Sequence, residues 1–118
     1  MKTKRVRFNK EEYENDLKGR IIALLSDSAY TLAYFDFSWE NFGNTVVIVK
    51  EKNNDYFKQI ILDKYEVFFA YQSGRKIQKY IDTNDTKMYK GWTQIGYYVI
   101  GDQDRKSVLL DTIAEQIR

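Results

Sequence analysis

Polar and apolar positions change period several times along the chain, and each change marks an element. From Asn9 onward, Tyr13, Leu17, Ile21, Leu24 and Leu25 recur at helical spacing with Ile22 beside them. Asn9 fits the N-cap and Glu12 the third helical position of a capping box, while Phe8 and Tyr13 stand where a hydrophobic staple closes. Glu11, Glu12, Glu14 and Asp16 crowd the helix start, where the helix dipole favours acids. Gly19 costs this helix roughly 1 kcal/mol relative to Ala. Ser26, Asp27 and Ser28 end it.

The period then becomes two. Ala33, Phe35, Phe37 and Trp39 alternate with Tyr34, Asp36, Ser38 and Glu40, which predicts a half-buried strand over 30–40 with the first set turned to the core. A turn at 40–44 follows, its Asn and Gly tolerant of positive φ. The β-branched run at 45–51 reads as a central strand. Residues 56–62 and 65–71 give two more strands, joined tightly through Asp63 and Lys64. The stretch 72–75 reads as a hairpin turn with a returning strand over 76–82. After a polar loop at 83–87, residues 91–101 give a last strand, in which Gly96 marks a bulge or a close backbone contact. A second helix closes the chain, with Asp102 as its cap and Leu109, Leu110, Ile113, Ala114 and Ile117 as its apolar stripe.

This order predicts an α+β two-layer sandwich: an N-terminal helix, an antiparallel sheet of five or six strands, and a C-terminal helix, with both helices on one sheet face. Neither repeat nor linker interrupts residues 1–118, which read as a single globular domain with residues 1–7 as a basic N-terminal arm or short strand.

Composition narrows the chemistry. Of 118 residues, 16% are aromatic and 10 are Tyr, a side chain equally suited to half-buried strands and to binding surfaces. The absence of Cys and His removes disulfides, thiolate and Ser–His–Asp catalysis, and the usual zinc and haem ligand sets. The net charge of +2 is too small to imply nucleic-acid binding by itself. No apolar run reaches membrane-spanning length, and no apolar segment follows the basic start as a signal peptide requires. The expectation is a cytoplasmic protein. Abundant Lys, Asn, Ile and Tyr without Pro suit an AT-rich bacterial or phage genome.

Candidate sites are few. Asp102 and Asp104 form a pair of the kind that holds divalent cations, but at a helix start they serve as caps. The loop from Asp82 to Lys87 resembles the opening of a calcium loop, yet Lys87 and Thr93 stand where Gly and Glu are required. No glycine-rich phosphate loop occurs. No catalytic constellation, cofactor or metal site is therefore expected. Arg75, Lys76, Lys79, Lys87 and Lys90, interleaved with Tyr71, Tyr80, Tyr89 and Trp92, form a basic–aromatic cluster of the kind that binds RNA or single strands. The outward parity of the first strand, Tyr34, Asp36, Ser38 and Glu40, sets an aromatic ring among carboxylates and suits a basic protein partner. The primary expectation is a small protein-binding protein, an immunity protein or inhibitor that occludes a toxin or nuclease. Nucleic-acid binding through the basic cluster is the alternative. Exposed strand edges leave monomer and homodimer both open.

Overall fold

The computed structural model describes residues 9–38 and 44–118. Helix α1 spans Lys10–Ser26 and starts as its sequence requires: the Glu12 amide donates to Asn9 Oδ1 at 3.2 Å. Phe8, the other half of the expected staple, lies outside the described residues, as do the basic arm, Trp39 and Glu40. Five strands follow: β1 (Tyr30–Ser38), β2 (Asn44–Glu51), β3 (Tyr56–Leu62), β4 (Glu66–Ser73) and β5 (Thr93–Val99). They form one antiparallel sheet in the order β1-β2-β3-β4-β5. Helix α2 (Lys76–Thr83) and a short 3-10 turn (Thr86–Tyr89) stand between β4 and β5, and helix α3 (Arg105–Gln116) closes the chain. The α+β sandwich with a helix at each end is the architecture that the sequence pattern predicts. Among the described residues, no helix is long and apolar enough to cross a membrane.

Helices α1 and α3 share one sheet face. Leu17, Ile21 and Leu25 from α1 and Val108, Leu109 and Ile113 from α3 close over Phe37, Val47, Val49, Ile60, Leu62, Val67 and Phe69. Each buried side chain of this size contributes on the order of 1.5–3 kcal/mol, so this layer carries most of the stability. Ile22 and Leu24, in the apolar run of α1, are exposed. At the α1–α3 seam the Lys106 ammonium bonds the Asp16 carboxylate and lies 5.0 Å from the Tyr13 ring centre. That bond holds the Asp16 carboxyl below its ordinary range. The C-terminal end of α3 is tied to the sheet: Lys58 Nζ donates to the Gln116 carbonyl at 2.6 Å, a favourable pairing of a cation with free helix carbonyls.

Three expectations change. Residues 76–83 form helix α2 and not a sixth strand. Ile77, Tyr80 and Ile81 stand at helical spacing, and Ile77 and Ile81 bury against Phe57, Ile48 and Met88 in a second, smaller cluster on the face opposite α1 and α3. Asn84 ends the helix in the left-handed conformation, φ 52°, which Asn adopts more readily than most residues. Second, α3 is capped by Asp104 rather than Asp102: Asp104 accepts from the Ser107 amide at 3.0 Å and from Ser107 Oγ at 2.9 Å. Third, β1 contains a register shift between Leu32 and Tyr34. Ala33 therefore leaves the parity of Phe35 and Phe37 and packs with the second cluster, because a bulge resets the alternation.

Candidate functional site

In an antiparallel sheet, residues directly opposite one another point to the same face. The register thus assembles two neighbouring rows across all five strands, one on each face. Phe37, Thr45, Leu62, Val67 and Tyr98 lie beneath α1 and α3, and the first four are buried. Asp36, Val46, Ile61, Phe68 and Tyr97 lie one residue along, on the opposite face. None of these five is buried, and Tyr97 is 56% exposed. The same strands therefore present to one side a row buried on β1 to β4, and to the other a row half-buried at Val46, Ile61 and Phe68 and exposed at Asp36 and Tyr97.

The open row is bounded at one end by α2 and the 86–89 turn, whose Ile77, Ile81 and Met88 cluster with Ile48 and Phe57, and Val46 packs against that cluster. Further along, the pairs Ser38–Asn44 and Glu66–Val99 continue the same face. These two steps of the face carry the carboxylates Asp36 and Glu66 and no cation among the described residues. The rings of Phe68 and Tyr97 pack tilted at 6.2 Å between centres. Glu66 is placed by a tight turn in which Asp63 Oδ1 accepts from the Tyr65 and Glu66 amides at 2.9 and 2.7 Å. Such an Asx-type turn needs a short side-chain acceptor at this position.

The residues singled out on β1 fare differently. Asp36 is exposed in the open row, and Ser38 is half-buried beside Asn44. Tyr34 faces the same side but lies under α2 and the 86–89 turn. Its hydroxyl stands 3.2 Å from that of Tyr89 and 3.5 Å from Asn84 Oδ1. Burial and the bond to Tyr89 push the Tyr34 phenol well above its ordinary range. This side chain clamps the α2 segment to the sheet. Glu40 lies outside the described residues.

The basic cluster sits at the other end. Arg75, Lys76, Lys79, Lys87 and Lys90 are exposed on α2, on the 86–89 turn and beside them. Arg75 Nε is 3.6 Å from Asp55, and Lys87 Nζ is 5.7 Å from the Tyr80 ring centre. The interleaved rings do not line up as one surface. Tyr80 and Trp92 pack into the second cluster, with Trp92 Nε1 donating to the Met88 carbonyl at 2.6 Å. Tyr71 stacks on Tyr56, 5.9 Å between centres, on the α1–α3 side. Base stacking requires free ring faces; Tyr80 and Trp92 are packed into the second cluster, Tyr71 lies on the other sheet face, and Tyr89 is the exposed ring beside Lys87 and Lys90.

Among the described residues no group of His, Cys, Asp or Glu is arranged to hold a metal ion. The members of the open row on β2 to β5 are absent from the site read from β1. Their signal is present in the alternation of Val46, Ile61, Phe68 and Tyr97, but an apolar residue on either parity reads equally as core until the helices are placed. Neither protein-family models, curated proteins nor solved structures show a match to this chain.

Proposed function

We propose that this protein is a protein-binding inhibitor, of the kind that protects a cell by occluding a basic toxin or nuclease, and that the open sheet face is its binding surface. The observation that carries the reading is the row Asp36, Val46, Ile61, Phe68 and Tyr97, unburied on all five strands while its counterpart on the other face is buried on β1 to β4. An apolar, aromatic centre with charge confined to its rim is the anatomy of a protein interface. The rim charges are carboxylates, so the complementary partner presents Lys or Arg, as nucleases do to hold phosphate. Occlusion needs no catalytic group in the inhibitor. It needs area, a desolvated centre and rim charges that exclude other partners.

The test is capture from the source organism with immobilised protein, followed by titration of the captured partner. Asp36→Lys is expected to slow association and to weaken its dependence on salt. Phe68→Ala is expected to weaken binding at least tenfold, as loss of a central anchor does. Addition of the protein should also suppress the partner's activity. Capture that both variants leave unchanged overturns this face. Tight binding to an oligonucleotide at low salt, abolished by Lys76→Glu with Lys79→Glu, would instead support the nucleic-acid reading.

A further inference from the structure

The sheet has two edges, and they are built differently. Strand β1 carries a charge, Asp36, is broken by the register shift at Ala33, and packs against α1 through Tyr30, Leu32 and Phe35. Strand β5 has the sequence Thr93, Gln94, Ile95, Gly96, Tyr97, Tyr98, Val99, with neither a charge nor a proline. Among the described residues β4 is its sole strand neighbour, and six of its seven residues are exposed. Ile95, Tyr97, Tyr98 and Val99 are 48%, 56%, 41% and 61% exposed, so four of the large exposed apolar side chains stand on one strand. Edge strands ordinarily carry lysine, proline or a cover because their free N–H and C=O groups recruit other strands. β5 has only a register shift opposite Phe69 and Ala70, which leaves residues 96–99 regularly paired.

We propose that β5 is a dimerisation edge and that its occupant is a second copy of this chain, joined antiparallel about a two-fold axis into a continuous ten-stranded sheet. A two-fold axis sets every residue of β5 against residues of the same strand. Pairing of like with like is penalised when the strand is charged and unpenalised here, because residues 93–99 carry no charge to oppose. The β-branched and aromatic side chains of this strand make favourable cross-strand pairs with each other. Approach is open as well. The chain leaves β5 inward, with Ile100 buried and its amide donating to the Tyr65 carbonyl at 2.8 Å. It arrives from a segment held against β4, where Gln72 Nε2 donates to the Lys90 carbonyl at 3.1 Å. On the α3 side, Tyr98 is directed back by its bond to Glu115 at 2.8 Å. A β5–β5 junction would place the two open faces side by side on one surface.

Sedimentation equilibrium tests the proposal with the intact protein. The expected mass is twice that of the 14.1 kDa chain. Ile95→Lys with Val99→Lys should reduce it to one chain while the far-UV circular dichroism stays that of the wild type. The chain has no cysteine, so single cysteines placed in turn at 95 to 99 report geometry directly. Oxidative cross-linking should peak at one β5 position, where the Cα atoms approach within about 4.4–6.8 Å, and Thr31→Cys on β1 should give none. A wild-type monomer at high micromolar concentration overturns the proposal. So does a dimer that survives the lysine pair, or one that cross-links through Thr31. Partner capture by Ile95→Lys alone, which changes no residue of the binding row, separates this edge from that face.

Discussion

The ring of Phe69 lies directly over Gly96 on the neighbouring strand: a β-carbon added to Gly96 would stand 2.8 Å from Phe69 Cζ. Phe69 cannot easily yield, being buried in the main core and packed against Tyr98 at 5.3 Å between ring centres. Gly96→Ala is therefore expected to overpack the β4–β5 junction and to cost about 1–3 kcal/mol in urea denaturation. Gly19→Ala, with nothing within 4 Å of the new carbon, is expected to stabilise by about 0.5–1 kcal/mol.

The clamp between Tyr34 and the α2 segment is expected to be selective. Tyr34→Phe removes the hydroxyl contacts with Tyr89 and Asn84 and should cost about 0.5–1.5 kcal/mol. Hydrogen exchange should rise in residues 76–89 and stay unchanged in α1 and α3.

Alkaline pH gives that same pair a second readout. Burial holds Tyr34 protonated above its ordinary value of 10.0, so the unfolded chain releases this proton first. Stability contributed by the group is complete below pH 10 and falls as pH rises from there towards the folded-state value. Denaturation followed from pH 8 to 12 should show this decline, and Tyr34→Phe should make it shallower. The phenols of Tyr13 and Tyr30, also raised by burial, leave a residual slope.

At acid pH the cap of α3 contributes alongside the Asp16–Lys106 bond. The amide and hydroxyl of Ser107 hold Asp104 below its ordinary 3.8, so its contribution is complete above that value and is lost as pH falls through the lower folded one. Asp104→Ala should cost about 0.5–2 kcal/mol at neutral pH. Asp104→Asn should retain most of the cap and flatten the acid limb of the pH profile.

Gln59 is buried in the centre of the sheet, opposite Ile48 and Ala70, and its Nε2 finds no acceptor among the described residues. A buried amide without a partner is costly. Gln59→Met keeps the length, removes the polar atoms, and is expected to stabilise by about 1 kcal/mol. Unchanged or lower stability in urea would mean that the amide is satisfied in solution.

Much of the fold is legible in the sequence because local signals agree with one another. The Asn9 cap, the spacing of Leu17, Ile21 and Leu25, and the continuous apolar run of β2 each favour one local structure strongly. The contact over Gly96 is legible too, since a glycine inside an aromatic strand marks a bulge or a close approach of a neighbour. The stretch 76–82 misleads because Ile77, Tyr80 and Ile81 satisfy a short helix, while a preceding Ser-Gly pair suggests a hairpin. Eight residues are too few for periodicity to separate the two.

The sequence by itself determined the order of elements, the α+β class and the absence of histidine and cysteine chemistry. The tertiary structure decided which parity of each strand is sealed. That choice rests on where α1 and α3 dock, a relation between segments far apart in the chain that no local pattern encodes. It converts Val46, Ile61, Phe68 and Tyr97 from apparent core residues into an open row, and it withdraws Tyr34 beneath α2. A strand edge likewise exists only once the sheet is assembled. The uncharged run of β5 is ordinary as sequence and becomes a surface because, among the described residues, no sixth strand pairs with it.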